Sequence, residues 1–168
     1  MTLHPNLSPV AALIGTWTGP GQGEYPTIAS FAYTEELTFT DVGKPFLAYR
    51  QRTWGPEGNP LHTETGFLRV PAADVVELTL AQPTGQVELA EGRIGVEDGA
   101  VLLELDARVL NSGTAKLVEA TRRSYRLSGD ELETTFAMAA VGQPLTHHLG
   151  SRLRRGLSRQ ASGRVLVP

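Results

Sequence analysis

The chain has no cysteine among its 168 residues. This absence excludes a disulfide framework, a thiolate metal site and a cysteine nucleophile, and it is typical of proteins from a reducing compartment. Residues 1–5 also lack the basic start and the apolar run of a signal peptide. We therefore expect a cytoplasmic protein.

Long hydrophobic runs are absent as well. No apolar stretch approaches the roughly 20 residues that a membrane-spanning helix needs, so we expect no membrane association. The length and the 40% hydrophobic content are nevertheless sufficient for one domain with a substantial core.

The signatures of common enzyme classes are missing too. The chain has no Gly-x-Ser-x-Gly elbow, no His-Glu-x-x-His zinc helix and no phosphate-binding Gly-x-x-x-x-Gly-Lys-Ser/Thr loop. Its carboxylates are scattered, and no pair stands out as a glycosidase dyad. If the protein is an enzyme, we expect a cofactor to supply its chemistry.

Acidic residues are absent after Glu133, whereas five arginines follow it. This end of the chain carries +5 and the remainder −8, which together give the net charge of −3. Such a basic terminus could attract a polyanion, but its last residues offer no aromatic ring to stack on bases. We therefore predict a basic, flexible tail over residues 157–168 and expect no nucleic-acid partner.

Most of the chain alternates apolar and polar residues with a period of two, which is typical of strands. Residues 76–80, for example, alternate Val and Leu with Glu and Thr. The dipeptide Asp98-Gly99 is a strong signal for a two-residue hairpin. Turn signals lie near residues 26, 41–43, 55–60, 71, 83–85, 97–99, 111–113, 128–130 and 142–144.

These nine turn signals delimit ten extended segments with short connections. The pattern predicts an all-β fold, a ten-stranded antiparallel up-and-down barrel over residues 1–156. A barrel wider than about eight strands encloses a cavity, so we expect room for one ligand. Leu7, Val10, Ala11 and Ile14 follow a helical spacing and predict a short capping helix before Gly15.

The stretch 15–28 carries glycines at alternate positions beside Trp17. Gly19, Gly21 and Gly23 fall on one face of an extended strand, where each costs backbone entropy and packs no side chain. Either the strand bends at a barrel corner, or a ligand or another backbone approaches its bare face. The residues alone leave both interpretations open.

Three of the four histidines lie in predicted strands. His62 stands alone, whereas His147 and His148 are adjacent and must face opposite sides of a regular strand. A histidine in such a place is most often a hydrogen-bonded structural residue. It is also the usual protein ligand of haem iron.

A longer motif runs through the glycine stretch as Gly15-x-Trp17-x-Gly19-x-Gly21-x-Gly23-x-Tyr25-Pro26-Thr27-Ile28. It resembles the signature of the nitrobindins, ten-stranded barrels related in shape to fatty-acid-binding proteins. The resemblance continues through residues 42–47, 61–69, 123–125 and 141–149 and so spans nearly the whole chain.

The resemblance implies a ferric haem b in the barrel mouth and isomerisation of peroxynitrite to nitrate, with reversible binding of nitric oxide. Matching the run Gln-Pro-Leu-x-x-His-Leu at residues 143–149 assigns the proximal iron ligand, and with it the catalytic role, to His148. Thr27 would lie near the haem, His62 on its distal side and Lys116 beside it. Gly19, Gly21 and Gly23 would form a wall that the porphyrin approaches closely.

Hydrophobic alternation in the last strand disagrees with this assignment, because three leucines share a face with His147, namely Leu145, Leu149 and Leu153. Two other residues share the face of His148 and favour it. Gly150 would leave that face open for a macrocycle, and Arg152 could reach a haem propionate.

The barrel by itself equally predicts a non-catalytic carrier or sensor of a small apolar molecule such as a fatty acid. Arg50, Arg52 or Arg69 could then pair with the carboxylate of the fatty acid. Many barrels of this size form dimers, which leaves a homodimer open.

Overall fold

A computed structural model describes residues 2–156 and shows ten antiparallel strands closed into one barrel. Each strand pairs with its neighbours in sequence, and the first pairs with the last, which confirms the predicted up-and-down barrel. The predicted tail, residues 157–168, lies outside the described residues. The strands are β1 Gly15–Tyr25, β2 Ile28–Lys44, β3 Phe46–Trp54, β4 Pro60–Ala72, β5 Val75–Ala81, β6 Gln86–Glu97, β7 Ala100–Asn111, β8 Val118–Ser128, β9 Glu131–Ala140 and β10 Thr146–Arg155.

The hairpin turns lie at or near the turn signals of the sequence. Asp98 and Gly99 have φ angles of 50° and 77°, as both central residues of a type I′ turn require. The signal at residues 41–43 differs, because β2 continues through it to Lys44 with an irregular register. Asp41 accepts a 2.8 Å hydrogen bond from the backbone of Gly43 there, so the local turn forms a bulge inside the strand.

The N-terminal segment Pro5–Leu13 forms a helix that closes one end of the barrel, as predicted, but it is a 3₁₀ helix. Pro9 lies inside it and lacks the N–H that an α-helix would need at that point. The Leu13 carbonyl oxygen accepts a 2.8 Å hydrogen bond from Nε1 of Trp17, which fastens the helix to β1. Its buried residues are Leu7, Val10 and Leu13.

The half of the barrel next to this helix is an apolar floor. Its side chains come from nearly every strand and pack around the fully buried Trp17. The hairpins β1–β2, β3–β4, β5–β6, β7–β8 and β9–β10 surround the opposite end, which forms the mouth. The floor includes Trp17, Leu37, Phe39, Leu47, Leu68, Leu78, Leu103, Leu132 and Leu153.

Three of the five C-terminal arginines belong to β10 and not to the tail. Arg155 lies over the Trp17 ring at 4.3 Å and donates a hydrogen bond of 2.8 Å to the Ile14 carbonyl oxygen. Arg152 and Arg154 form ion pairs with carboxylates of β9 on the outer surface. Within residues 2–156 the structure has no helix with the length and hydrophobicity that a membrane crossing requires.

Candidate functional site

The barrel encloses a cavity of about 540 Å³ between its mouth and its apolar floor. This volume is in the range of pockets that hold drug-sized molecules. The cavity wall combines apolar side chains near the mouth with buried polar groups deeper in the barrel. The apolar part includes Phe31, Leu61, Phe136, Met138 and Leu149.

His148 lies in this wall, and its ring nitrogens differ in their surroundings. Its Nδ1 donates a 2.9 Å hydrogen bond to the backbone carbonyl oxygen of Glu24. The proton is therefore on Nδ1, so Nε2 keeps the lone pair that a metal ion needs. Three aromatic rings surround the imidazole with centroids 5.3 to 6.2 Å away, those of Tyr25, Phe31 and Phe136.

The orientation of His148 comes from a bulge in β10. The pairing with β9 shifts register between His147, which faces Ala137, and Leu149, which faces Phe136. A bulge inserts one extra residue and breaks the alternation of faces. Consequently both His148 and Leu149 line the cavity, while His147 is exposed.

The expectation that alternation turns His147 inward is wrong for this reason. Gly150 and Arg152 were expected on the face of His148, the first to leave room for a macrocycle and the second to reach a haem propionate. Both expectations are wrong, because the two residues lie on the outer surface. A Cβ atom on Gly150 would lie 3.6 Å from the exposed ring of His147, and Arg152 pairs with Glu133 at 3.3 Å.

β1 also changes register where it meets His148. Its pairing with β2 shifts between Gly23 and Tyr25, at the residue whose carbonyl accepts the His148 hydrogen bond. The Tyr25 hydroxyl crosses to β9, where it donates to the Met138 carbonyl oxygen and accepts from the Ala140 N–H, both at 3.1 Å. The end of β1 thus holds the imidazole through a backbone oxygen and an anchored ring.

His62 lies in the cavity wall on β4, four strands from β10 around the barrel. Its Nε2 lies 3.8 Å from Oε2 of Glu64. Thr27 is exposed in the β1–β2 turn, and Lys116 is exposed in the β7–β8 loop, where its carbonyl oxygen accepts a 2.8 Å hydrogen bond from Gln86. The structure therefore brings His62 and His148 to one cavity and places Thr27 and Lys116 at its rim.

The space beside the three glycines of β1 is already occupied by protein. A Cβ atom on Gly21 would overlap the ring of Tyr33, and one on Gly23 would overlap the ring of Phe31. A Cβ atom on Gly19 would overlap the backbone of β10. The glycines therefore admit aromatic rings and a neighbouring strand. The space in which a porphyrin was expected to approach them is filled by protein, and none of the three lines the cavity.

A buried charge cluster lies deeper in the cavity and was missed from the sequence. Arg123 forms a fork with Glu64 at 2.8 and 3.0 Å and contacts Glu88 at 2.9 Å. Burial alone would raise the pKa of Glu64, but Arg123, His62 and Tyr49 lower it to about 2. The sequence does contain a signal for this cluster. The alternation of apolar and polar residues in β4 and β8 puts Glu64 and Arg123 on the same strand faces as apolar residues, which indicates that both are buried.

A second buried carboxyl group, Glu35, has only neutral hydrogen-bond partners. Gln51 donates to it at 2.7 Å, and the Thr134 hydroxyl lies 3.5 Å away. Burial raises the pKa of Glu35, although hydrogen bonds from Ser151 and Gln51 act in the opposite direction.

The donor set suits a haem better than a bare metal ion. The part of the chain that the structure describes has no group of three or more histidine or carboxylate side chains that could hold a metal ion. A single imidazole nitrogen in an apolar wall is the donor arrangement that haem iron takes from a proximal histidine. The residues around His148 therefore fit a haem.

The arginines expected for a fatty-acid carrier lie outside the cavity. Arg50 is exposed, whereas Arg52 pairs with Glu36 and Arg69 with Glu77 on the outer surface. Among the described residues, none of these three lines the cavity wall.

The whole barrel is similar to known proteins. The family model of the THAP4-like, heme-binding beta-barrel domain matches residues 6–155. The chain is 52% identical over 157 residues to a peroxynitrite isomerase of Nocardia farcinica, covering 92% of this chain and 94% of that protein. It is 51% identical over 155 residues to peroxynitrite isomerase 2 of Mycobacterium ulcerans, covering 91% and 96%. The crystal structure of Rv2717c from Mycobacterium tuberculosis matches with a TM-score of 0.90 and 46% identity, covering 93% of this chain and all of that one.

Proposed function

The chain belongs to the THAP4-like haem-binding β-barrel family, and from this premise we propose that it binds ferric haem b and isomerises peroxynitrite to nitrate. Membership confirms the resemblance to the nitrobindins. Two relatives named peroxynitrite isomerase, each covered almost completely, support the activity. The observation that carries the proposal is the cavity-lining His148, whose Nδ1–H is held by the Glu24 carbonyl oxygen.

His148 would hold the iron through Nε2. The hydrogen bond to Glu24 fixes the tautomer and the ring orientation and makes Nε2 a better donor. The rings of Tyr25, Phe31 and Phe136 pack around the imidazole and hold its orientation. When bound, ferric haem supplies the Lewis acid at which the O–O bond of peroxynitrite rearranges, and it also offers a site for nitric oxide.

The other residues act on the ligand and on the edge of the haem. His62 presents an imidazole to the cavity and would form a hydrogen bond with an oxygen of the substrate. Thr27 and Lys116, exposed at the rim, would contact the haem from outside the cavity wall. The cysteine-free composition supports a cytoplasmic location for this activity.

The test is a haemin titration of the full-length protein and of two matched variants, His148→Ala and His147→Ala. We expect wild type and His147→Ala to develop the same saturable, shifted Soret band, because His147 is exposed on the outer surface. His148→Ala should lose that band, and with it the increase in nitrate yield when peroxynitrite decays.

A wild-type Soret band and nitrate yield in His148→Ala would contradict the assignment of the ligand. A wild-type protein that binds haemin without increasing the nitrate yield would contradict the proposed activity. Displacement of a fluorescent fatty acid, with no Soret shift, would favour the carrier.

A further inference from the structure

The inner part of the cavity holds more carboxyl groups than cations. Glu35, Glu64 and Glu88 are all at most 3% exposed and line the cavity. Within residues 2–156, Arg123 is the only buried lysine or arginine, and it pairs with Glu64 and Glu88. Glu35 has no ion pair among the described residues, because Arg123, whose charge also acts on it, is already paired with Glu64 and Glu88.

Gln51 lies beside Glu35 and carries an acceptor that nothing in the described part of the chain uses. Its Nε2 donates to Glu35, whereas its Oε1 is buried without a hydrogen-bond partner. Leaving such an oxygen unpaired costs about 1–3 kcal/mol. Gln51 is 7% exposed and lines the cavity, so the cavity is where a donor for this oxygen would enter.

Three hydroxyl groups complete the surroundings of Glu35. Thr134 Oγ1 lies 3.5 Å from Oε2 of Glu35, and the Tyr33 hydroxyl forms a 2.8 Å hydrogen bond with Ser151. We call the place between Glu35, Gln51 and Thr134 the inner acceptor site. Its polar groups are a carboxyl group, an amide oxygen and a hydroxyl oxygen.

We propose that the inner acceptor site binds the protonated amino group of a small primary amine. An ammonium group has three N–H donors and no acceptor, which matches three acceptors of the site. Its positive charge also compensates Glu35, which a water molecule would not do. An anion would meet three carboxyl groups and a guanidinium that is already paired.

The charge state of Glu35 links this binding to pH. The titratable groups that face Glu35 are Tyr33 on its own strand, Glu64 on β4, and Arg123 and Tyr125 on β8. Burial raises the pKa of Tyr33 and Tyr125 to about 12, so both remain neutral near pH 7. An ammonium group stabilises the ionised carboxylate, so its binding releases a proton and weakens as the pH falls.

The test uses calorimetric titration of methylammonium chloride into the full-length, haem-free protein, where no iron competes for the amine. We expect saturable one-to-one binding at pH 8, at least about tenfold weaker in Glu35→Gln. The matched control is Glu36→Gln, because Glu36 is the next residue but pairs with Arg52 on the outer surface. This control should bind methylammonium like the wild type.

Two further measurements locate the guest and identify its chemistry. Methylammonium should shift the side-chain amide signals of Gln51 in the NMR spectrum, and its affinity should fall when the pH is lowered from 8 to 4.5, because the pKa of Glu35 is raised above 4.5. The pH series uses the unaltered protein and therefore holds even if a variant fails to fold. No saturable binding, equal affinity in Glu35→Gln, or equally tight binding of potassium would overturn the proposal.

Discussion

The Nδ1–H of His148 donates a 2.9 Å hydrogen bond to the backbone carbonyl oxygen of Glu24. Both residues lie where strand pairing changes register, between Gly23 and Tyr25 in β1 and between His147 and Leu149 in β10. Bulges redirect side chains and release backbone groups from the ladder. Here the bulge in β10 turns the His148 imidazole inward, and the irregularity in β1 provides the Glu24 carbonyl oxygen that orients it.

Tyr25→Phe tests how the end of β1 supports His148. The substitution removes the hydroxyl that bridges to Met138 and Ala140 but keeps the ring. We expect haemin affinity to fall about tenfold, because groups that orient a ligand histidine typically contribute that much. Haemin titration measures it, with Glu24→Gln as the control, since this exposed side chain changes while the carbonyl remains. Unchanged affinity in Tyr25→Phe would exclude an orienting role for the hydroxyl.

Gly21→Ala tests the role of the β1 glycines. The new Cβ atom would overlap the ring of Tyr33, so we expect a loss of about 1–3 kcal/mol in the free energy of unfolding. Urea denaturation measures this loss. Gly113→Ala is the control, because a Cβ atom there meets nothing within 4 Å. Adding Tyr33→Ala to Gly21→Ala should relieve the overlap, so additive losses would contradict the explanation.

Glu64→Gln tests the buried ion pair. The pKa of Glu64 falls from 4.5 to about 2 in the folded protein, so its ionised form stabilises the fold above pH 4.5. This stabilisation is lost as the pH falls toward 2. At pH 7 we expect the substitution to cost about 3 kcal/mol, because it leaves part of the charge of Arg123 uncompensated.

Urea denaturation at pH 7 and pH 3 checks this prediction, and the cost of Glu64→Gln should be smaller at pH 3. The control is Glu77→Gln, whose carboxylate pairs with the exposed Arg69 and should contribute at most about 1 kcal/mol. Equal costs for the two substitutions at pH 7 would show that burial does not strengthen the inner pair.

Glu35→Gln should have the opposite dependence on pH. Burial raises the pKa of Glu35, so the folded protein favours the protonated carboxyl group. As the pH rises and this group ionises, the free energy of unfolding decreases. The neutral amide removes this penalty. We expect the melting temperature of Glu35→Gln to exceed that of the wild type at pH 8, and the difference should disappear as the pH falls below 4.5, the ordinary pKa of glutamate. A lower melting temperature at pH 8 would show that the ionised carboxylate stabilises the fold.

The barrel and most of its turns could be predicted because their causes are local. A period of two places apolar residues on one face, and dipeptides such as Asp98-Gly99 favour one turn type. The same rule was wrong for the last strand, since it holds only while the strand is regular. The resemblance of a long motif to the nitrobindins assigned the iron ligand to His148, whereas the alternation of apolar residues favoured His147.

By itself the sequence determined a closed barrel of ten strands with a helix at one end, because periodicity and turn residues act over a few positions. Only the tertiary structure decided that His148 faces the cavity, because a bulge depends on the pairing of β10 with β9. It likewise decided that Arg123 meets Glu64 and Glu88, which are 59 and 35 residues away along the chain. Such contacts depend on the register of several strands at once, which no local pattern encodes.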